Sequence, residues 1–102
     1  MLNYRGMRGY VVLEIEIIDQ AKYDRYKEMA RSSLEAYGGS FVVRAGKLEV
    51  LDGDWLPKRL VILEFPSFDQ ARTWYNSAEY APAKTLRKEA ARAKVLIAEG
   101  FK

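Results

Sequence analysis

One short segment alternates apolar and polar residues with a period of two, and it opens a series of strand-like runs separated by stretches of helical spacing. Tyr10–Ile17 reads YVVLEIEI, with Val11, Leu13, Ile15 and Ile17 on one side and Val12, Glu14 and Glu16 on the other. Such alternation specifies a half-buried strand. Arg59–Phe65 (RLVILEF) and Ala93–Glu99 (AKVLIAE) read as two further main strands. Between the first two, Asp19–Tyr37 sets Tyr23, Tyr26, Ala30, Leu34 and Tyr37 three or four residues apart, one stripe of a helix. Asp19 is placed to cap its start and Gly38-Gly39 to end it.

Ser40–Arg44 reads as a short strand, Ala45-Gly46-Lys47 as a turn, and Leu48–Leu51 as a further strand or hairpin arm before the Asp52-Gly53-Asp54 turn. Beyond Pro66, Ser67-Phe68-Asp69-Gln70 matches a capping box that opens a helix running to about Asn76. Ala71, Trp74 and Tyr75 form its bulky face. Ser77 is placed to cap a second helical piece with Pro82 in its first turns and Leu86 and Ala90 inward.

The order β-α-β-(β)-β-α-β over residues 9–100 predicts one α+β domain, ferredoxin-like βαββαβ with an antiparallel sheet. Residues 1–8 read as a flexible arm without an apolar run of signal-peptide length. A faint repeat supports two related halves. Asp19-Gln20-Ala21-Lys22 resembles Asp69-Gln70-Ala71-Arg72 fifty residues later, and at that offset Val12 matches Ile62 and Glu14 matches Glu64.

Two helical regions cover only one face of such a sheet. Val11, Leu13, Ile15, Val61, Leu63 and Phe65, with Phe41 and Val43 alongside, are assigned to that face. The open face then carries Val12, Glu14, Glu16, Val42, Arg44, Leu60, Ile62 and Glu64, a mixture of aliphatic and charged groups. Burying a few hundred Å² of that apolar area against a second copy is worth roughly 5–10 kcal/mol before association costs. A homodimer through the open sheet face is the resulting expectation.

Composition removes several functions. The 102 residues include no cysteine and no histidine. Disulfides, thiolate or imidazole metal ligands, and Cys-His or Ser-His-Asp catalysis are therefore excluded. No cofactor or metal is expected; no GxGxxG or phosphate-loop pattern occurs, and flavin binding without a motif stays open. The formal charge of +3 comes from 17 basic and 14 acidic side chains that are interleaved. No nucleic-acid partner is expected, because KRLVILEF puts Leu60, Ile62 and Glu64 where an RNA-reading sheet carries stacking aromatics. No apolar run approaches the roughly 18 residues of a membrane span, so no membrane partner is expected and the default compartment is the cytoplasm.

The segments GYVVLEIEIIDQAKYDRY, YGGSFVVRAGKLEVLDGDW, PKRLVILEFPSFDQARTWYNSAEY and LRKEAA together resemble the DUF1330 family of unknown function, within the dimeric α/β-barrel superfamily. The resemblance spans nearly all of Gly9–Gly100. It implies a ferredoxin-like monomer whose sheet pairs with a second into a dimeric α/β barrel. Arg44, Arg59, Glu64, Trp74, Tyr80 and Arg87 are among the residues that match the family pattern. Ser40 and Ala45 depart from it, standing where relatives often carry arginine and glycine. The wider superfamily includes monooxygenases, isomerases, decarboxylating or dehalogenating enzymes and stress proteins, a breadth that selects no reaction.

Arg44 and Glu64 are the candidate catalytic pair, both assigned to the barrel interior. Arg44 offers a fork for a carboxylate ligand, or a structural salt bridge to Glu49 or Glu64. Glu64 follows Leu60 and Ile62 and is placed to move a proton, apolar neighbours raising its pKa and Arg44 lowering it. Glu14 shares that facing and joins Arg44 as a ligand-binding candidate. Trp55 and Arg59, on either side of Leu56-Pro57, are candidate pocket walls. Tyr80, seven residues before Arg87, shares a helical face with it and is placed to close one end of the barrel and touch ligand. Each of these residues also has a plain packing or pairing explanation.

The leading expectation is an uncharacterised homodimer that binds a small organic molecule, anionic where Arg44 holds it. Isomerase, lyase or cofactor-free oxygenase chemistry would suit such a site. The competing reading is a non-enzymatic structural or regulatory dimeric module. The residues do not decide between enzyme and non-enzyme.

Overall fold

A computed structural model describes residues 7–101. The elements in chain order are β1 (Gly9–Ile17), α1 (Gln20–Glu35), β2 (Ser40–Arg44), β3 (Leu60–Phe65), α2 (Phe68–Tyr75), α3 (Ala81–Ala90) and β4 (Ala91–Glu99). Most of the arm expected at 1–8 lies outside the described residues. So does Lys102.

The strands form one four-stranded antiparallel sheet in the order β2-β3-β1-β4. Each half is a split βαβ unit: β1 and β2 run parallel with β3 between them, and β3 and β4 run parallel with β1 between them. Val12 and Ile62, matched at the fifty-residue offset, face each other directly across β1 and β3. The pseudo-twofold relation between the halves thus centres on that pair. The outer strands β2 and β4 do not meet, so the sheet is open and the expected α/β barrel is not formed.

Local chemistry sets the helix ends. Asp19 accepts from the Lys22 backbone N–H at 3.1 Å and Ser67 from that of Gln70 at 3.0 Å, each satisfying a donor that the first helical turn leaves free. The capping box is only half made. The Gln70 amide donates to the Tyr37 carbonyl instead of turning back to Ser67. At the C-terminus of α1, Gly38 takes φ +73° and Gly39 bonds back to Leu34. Gly39 lies so close to the Phe65 ring that a Cβ would stand 2.6 Å from it. Ser77 accepts from the Tyr80 backbone N–H, capping the turn that leads into α3, and Pro82 sits in the first turn of that helix.

The core lies between helices and sheet. Val11, Leu13, Ile15, Val61, Leu63 and Phe65 are buried against Tyr23, Tyr26, Ala30 and Leu34 of α1 and Ala71 and Trp74 of α2, as their periodicity requires. Two expectations fail. Leu48–Leu51 is not a strand, and the chain from Ala45 to Arg59 is irregular. In β2 an extra residue at Val42 shifts the register, so that Phe41 pairs with Leu63, Val43 with Ile62 and Arg44 with Val61. Two residues then occupy the space of one and every later side chain changes face. Val43 therefore joins the open face with Ile62, and Arg44 passes through to the helix face with Val61. Ala45, just beyond, holds φ 58°, a left-handed conformation that costs a non-glycine residue about 1–2 kcal/mol.

Candidate functional site

The bulge in β2 builds the site. It carries Arg44 to the edge of the space between α1 and the sheet, where Arg59 arrives from the end of the irregular segment. Together with Lys27 these cations line a cleft whose other walls are Leu13, Ile15, Tyr23, Tyr26, Ala30, Leu34, Phe41, Val61 and Leu63. The cleft holds about 430 Å³ counting its open mouth. Its enclosed part is a narrow slot of about 30 Å³, so a larger guest must part the walls.

The cations are held by aromatic faces rather than by acids. The Arg44 guanidinium lies 4.2 Å from the centre of the Phe41 ring, and that of Arg59 5.2 Å from the Tyr23 ring. Neither arginine has a salt bridge among the described residues, and the buried Nε of Arg59 has no hydrogen-bond partner. Lys27 differs, because its Nζ pairs with the exposed Asp24 at 3.3 Å. The Gln20 amide, then Lys27, hold the Asp24 carboxyl below its usual range, with Arg59 adding to the pull. No carboxylate lines the cleft. An apolar slot with two unpaired guanidinium groups at its edge suits a molecule with an apolar body and one anionic group.

Glu64 is elsewhere. It stands on the open face, where Tyr10 Oη donates to its Oε2 at 2.9 Å and Arg8 Nε lies 3.8 Å away. That bond, ahead of burial, raises the Tyr10 pKa. Arg44 and Glu64 are thus separated by the sheet, and the expected pair is not assembled. The alternative bridge from Arg44 to Glu49 is not formed either. Glu14 accepts from Trp55 Nε1 at 3.3 Å beside a shallow open-face groove lined by Glu16, Leu56, Lys58, Arg92 and Lys94. Glu16 pairs with Arg92 at 3.7 Å.

Tyr80 is fully buried among the helices. It accepts from Arg87 Nη1 at 3.0 Å and meets the Tyr26 hydroxyl at 3.1 Å, while Arg87 Nη2 donates to Tyr75 Oη at 3.3 Å. Arg87 is only 4% exposed, has no acidic partner among the described residues, and its Nε makes no hydrogen bond. Burial works against its charge, whereas attraction to Tyr80, Tyr75 and Tyr26, which comes to full strength only when those phenols ionise at high pH, raises its pKa.

Of the candidates read from sequence, Arg44 and Arg59 converge, Glu14 and Trp55 pair with each other, and Glu64 and Tyr80 stand apart. Sequence reasoning missed Lys27 and gave Phe41 to the core alone, while Tyr23 and Tyr26 were core residues whose hydroxyls could also line a cleft. Lys27 follows Tyr23 by four residues, one helical turn, which was the available signal.

Residues 8–101 match the family described as "Domain of unknown function (DUF1330)". No curated protein matches the chain. Among solved structures, a protein of unknown function from Rhodopseudomonas palustris is similar at 16% identity and TM-score 0.72, covering 96% of this chain and 85% of that one. SnoaB, a cofactor-independent oxygenase from Streptomyces nogalater, is similar at 11% identity and TM-score 0.64, covering 95% and 96%. A dimeric ferredoxin-like protein of unknown function from Thermobifida fusca is similar at 13% identity and TM-score 0.54, covering 99% and 97%. Likeness at these identities shows the shared ferredoxin-like fold. Among the described residues no helix is long and apolar enough to cross a membrane.

Proposed function

The chain belongs to the DUF1330 family, and we propose that it binds a small apolar molecule carrying one anionic group in the cleft between α1 and the sheet. One observation carries this reading: among the described residues no carboxylate lines the apolar slot that Arg44 and Arg59 border, and neither arginine makes a salt bridge, while the exposed Asp24, whose charge reaches Arg59, is paired with Lys27. Arg44, Arg59 and Lys27 hold the anion, and the tyrosine, Phe41 and aliphatic walls take the body. The anion repays part of the desolvation that Arg59 has already undergone.

Binding is favoured over isomerase or lyase chemistry. Those reactions need a group that moves a proton. The cleft holds no carboxylate or imidazole, and its one amine, Lys27, is paired with Asp24. Glu64 acts on the other side of the sheet, in support of Tyr10.

The working unit in this reading is a homodimer through the open sheet face. Val12, Val43, Leu60 and Ile62 leave that face only partly covered, and Val42 (49%) and Leu96 (58%) stand exposed on it. A second copy is the partner that would remove this area from water.

The test is an NMR titration with benzoate and its neutral isostere benzamide. Benzoate is expected to bind more tightly, and Arg44→Gln with Arg59→Gln to erase that preference by about 10-fold or more, the scale of charge-assisted hydrogen bonds. Equal binding of the two probes to the unaltered protein, or a preference that survives loss of both arginines, would sink the reading. The non-enzymatic module predicts a different result: a weaker dimer by sedimentation, with no benzoate preference to lose.

A further inference from the structure

The cleft and the buried Arg87 share one residue, Tyr26. Its side chain lines the cleft, and its hydroxyl meets that of Tyr80, which Arg87 in turn contacts. The protons along this chain can be counted. A guanidinium has donors only, so the Tyr80 oxygen accepts from Arg87. One hydrogen bond joins the two hydroxyls, and it uses one of their two protons. The other proton has no acceptor among the described residues.

Which hydroxyl keeps the idle proton follows from position. Tyr80 is 0% exposed, packed against the rings of Trp74 at 4.1 Å, Tyr75 at 5.6 Å and Tyr26 at 6.4 Å. A proton stranded there would have neither solvent nor partner, an arrangement folded proteins avoid. With Tyr80 donating to Tyr26 the idle proton moves to the residue that borders the cleft. The positive charge of Arg87 reinforces this order, since a hydroxyl that accepts from a cation becomes a stronger donor.

We propose that Tyr26 presents its hydroxyl proton to the cleft as a hydrogen-bond donor, set in that direction by Arg87 through Tyr80. The proposal rests on the anion-binding reading above and narrows it. The preferred guest has, besides its anionic group, an oxygen acceptor such as a carbonyl on its apolar body. Tyr26 contacts the guest, and Arg87 is a positioning residue. Burial raises the Tyr26 pKa well above the usual phenol value.

The experiment compares 4-acetylbenzoate with 4-isopropylbenzoate, which have the same anion and nearly the same shape but differ in the carbonyl. The unaltered protein is expected to favour 4-acetylbenzoate by about 2- to 10-fold, the worth of one neutral hydrogen bond. Tyr26→Phe removes the preference, bringing the two probes to equal affinity. Arg87→Met also shrinks the preference, and Arg87→Lys, which keeps a donor for Tyr80, restores part of it. A merely structural role for Arg87 would weaken both probes equally and leave their ratio alone. Equal affinity for the two probes, or a ratio unchanged in Tyr26→Phe, overturns this proposal while bound benzoate keeps the anion cleft standing. Failure of benzoate itself to bind removes the underlying reading, and this one with it.

Discussion

Trp74→Ala is expected to cost about 3–5 kcal/mol of folding free energy, the range for deleting a large aromatic side chain from a core that cannot collapse around the gap. Trp74 is 0% exposed. Its ring lies 5.3 Å from that of Phe65 in the sheet and 4.1 Å from that of Tyr80, so it joins β3 to the helical layer. Its indole N–H donates to Ser33 Oγ at 2.9 Å, and Ser33 donates in turn to the Ala30 carbonyl, which ties α2 to α1. Domains of this size are stable by only about 5–15 kcal/mol, so the variant should stand near the edge of folding. Urea unfolding followed by far-ultraviolet circular dichroism measures the loss directly. A loss below about 1 kcal/mol, the size of a single hydrogen bond, would mean that the aromatic cluster does not hold the layers together.

Arg87→Met is expected to act in the opposite direction, raising stability by about 1–3 kcal/mol. Arg87 is a buried cation with no carboxylate beside it, and its Nε is unsatisfied. Its two hydrogen bonds to tyrosine hydroxyls return only part of the cost of taking a guanidinium out of water. Methionine keeps a flexible stem of similar reach and carries no charge. Tyr80 then loses a donor to its oxygen but retains its bond with Tyr26. The same denaturation experiment measures the gain, and a loss above about 1 kcal/mol would show that the cation stabilises the fold. A variant that is more stable yet loses its preference for a carbonyl-bearing guest would place the purpose of Arg87 in the cleft. Such exchanges of stability for function are common where a binding site needs a strained or desolvated group.

Much of the fold was legible because two periodicities spell it out. Val11, Leu13, Ile15, Val61, Leu63 and Phe65 fell on the face that alternation assigns them, and Asp19 and Ser67 cap the helices that follow them. What escaped depends on contacts that local pattern does not contain. In Phe41-Val42-Val43 the extra residue is invisible, since apolar side chains fit either register, yet it decides the face of Arg44. Leu48–Leu51 alternates like a strand but has no partner in the sheet, and alternation without a partner makes no ladder. Gln70 was expected to reach back to Ser67 and found the Tyr37 carbonyl from another element. The barrel that the family resemblance implied is not formed: the sheet is open, with β2 and β4 as free edges.

For the site, sequence pointed to arginine but gave it the wrong neighbours. Arg44 and Arg59 were both candidates, and the structure brings them to one cleft. Glu64, chosen as the partner of Arg44, is held by Tyr10 on the far face. The difference changes the chemistry from an acid–base pair to a cationic mouth on an apolar slot.

A crystal structure of the protein with bound benzoate tests the anion cleft most directly. The carboxylate is expected within hydrogen-bond distance of the Arg44 and Arg59 guanidinium groups, its ring pointing into the slot between Tyr23 and Leu63. Benzoate ordered instead in the open-face groove beside Glu14, or absent from the slot at concentrations that saturate the titration, would contradict it.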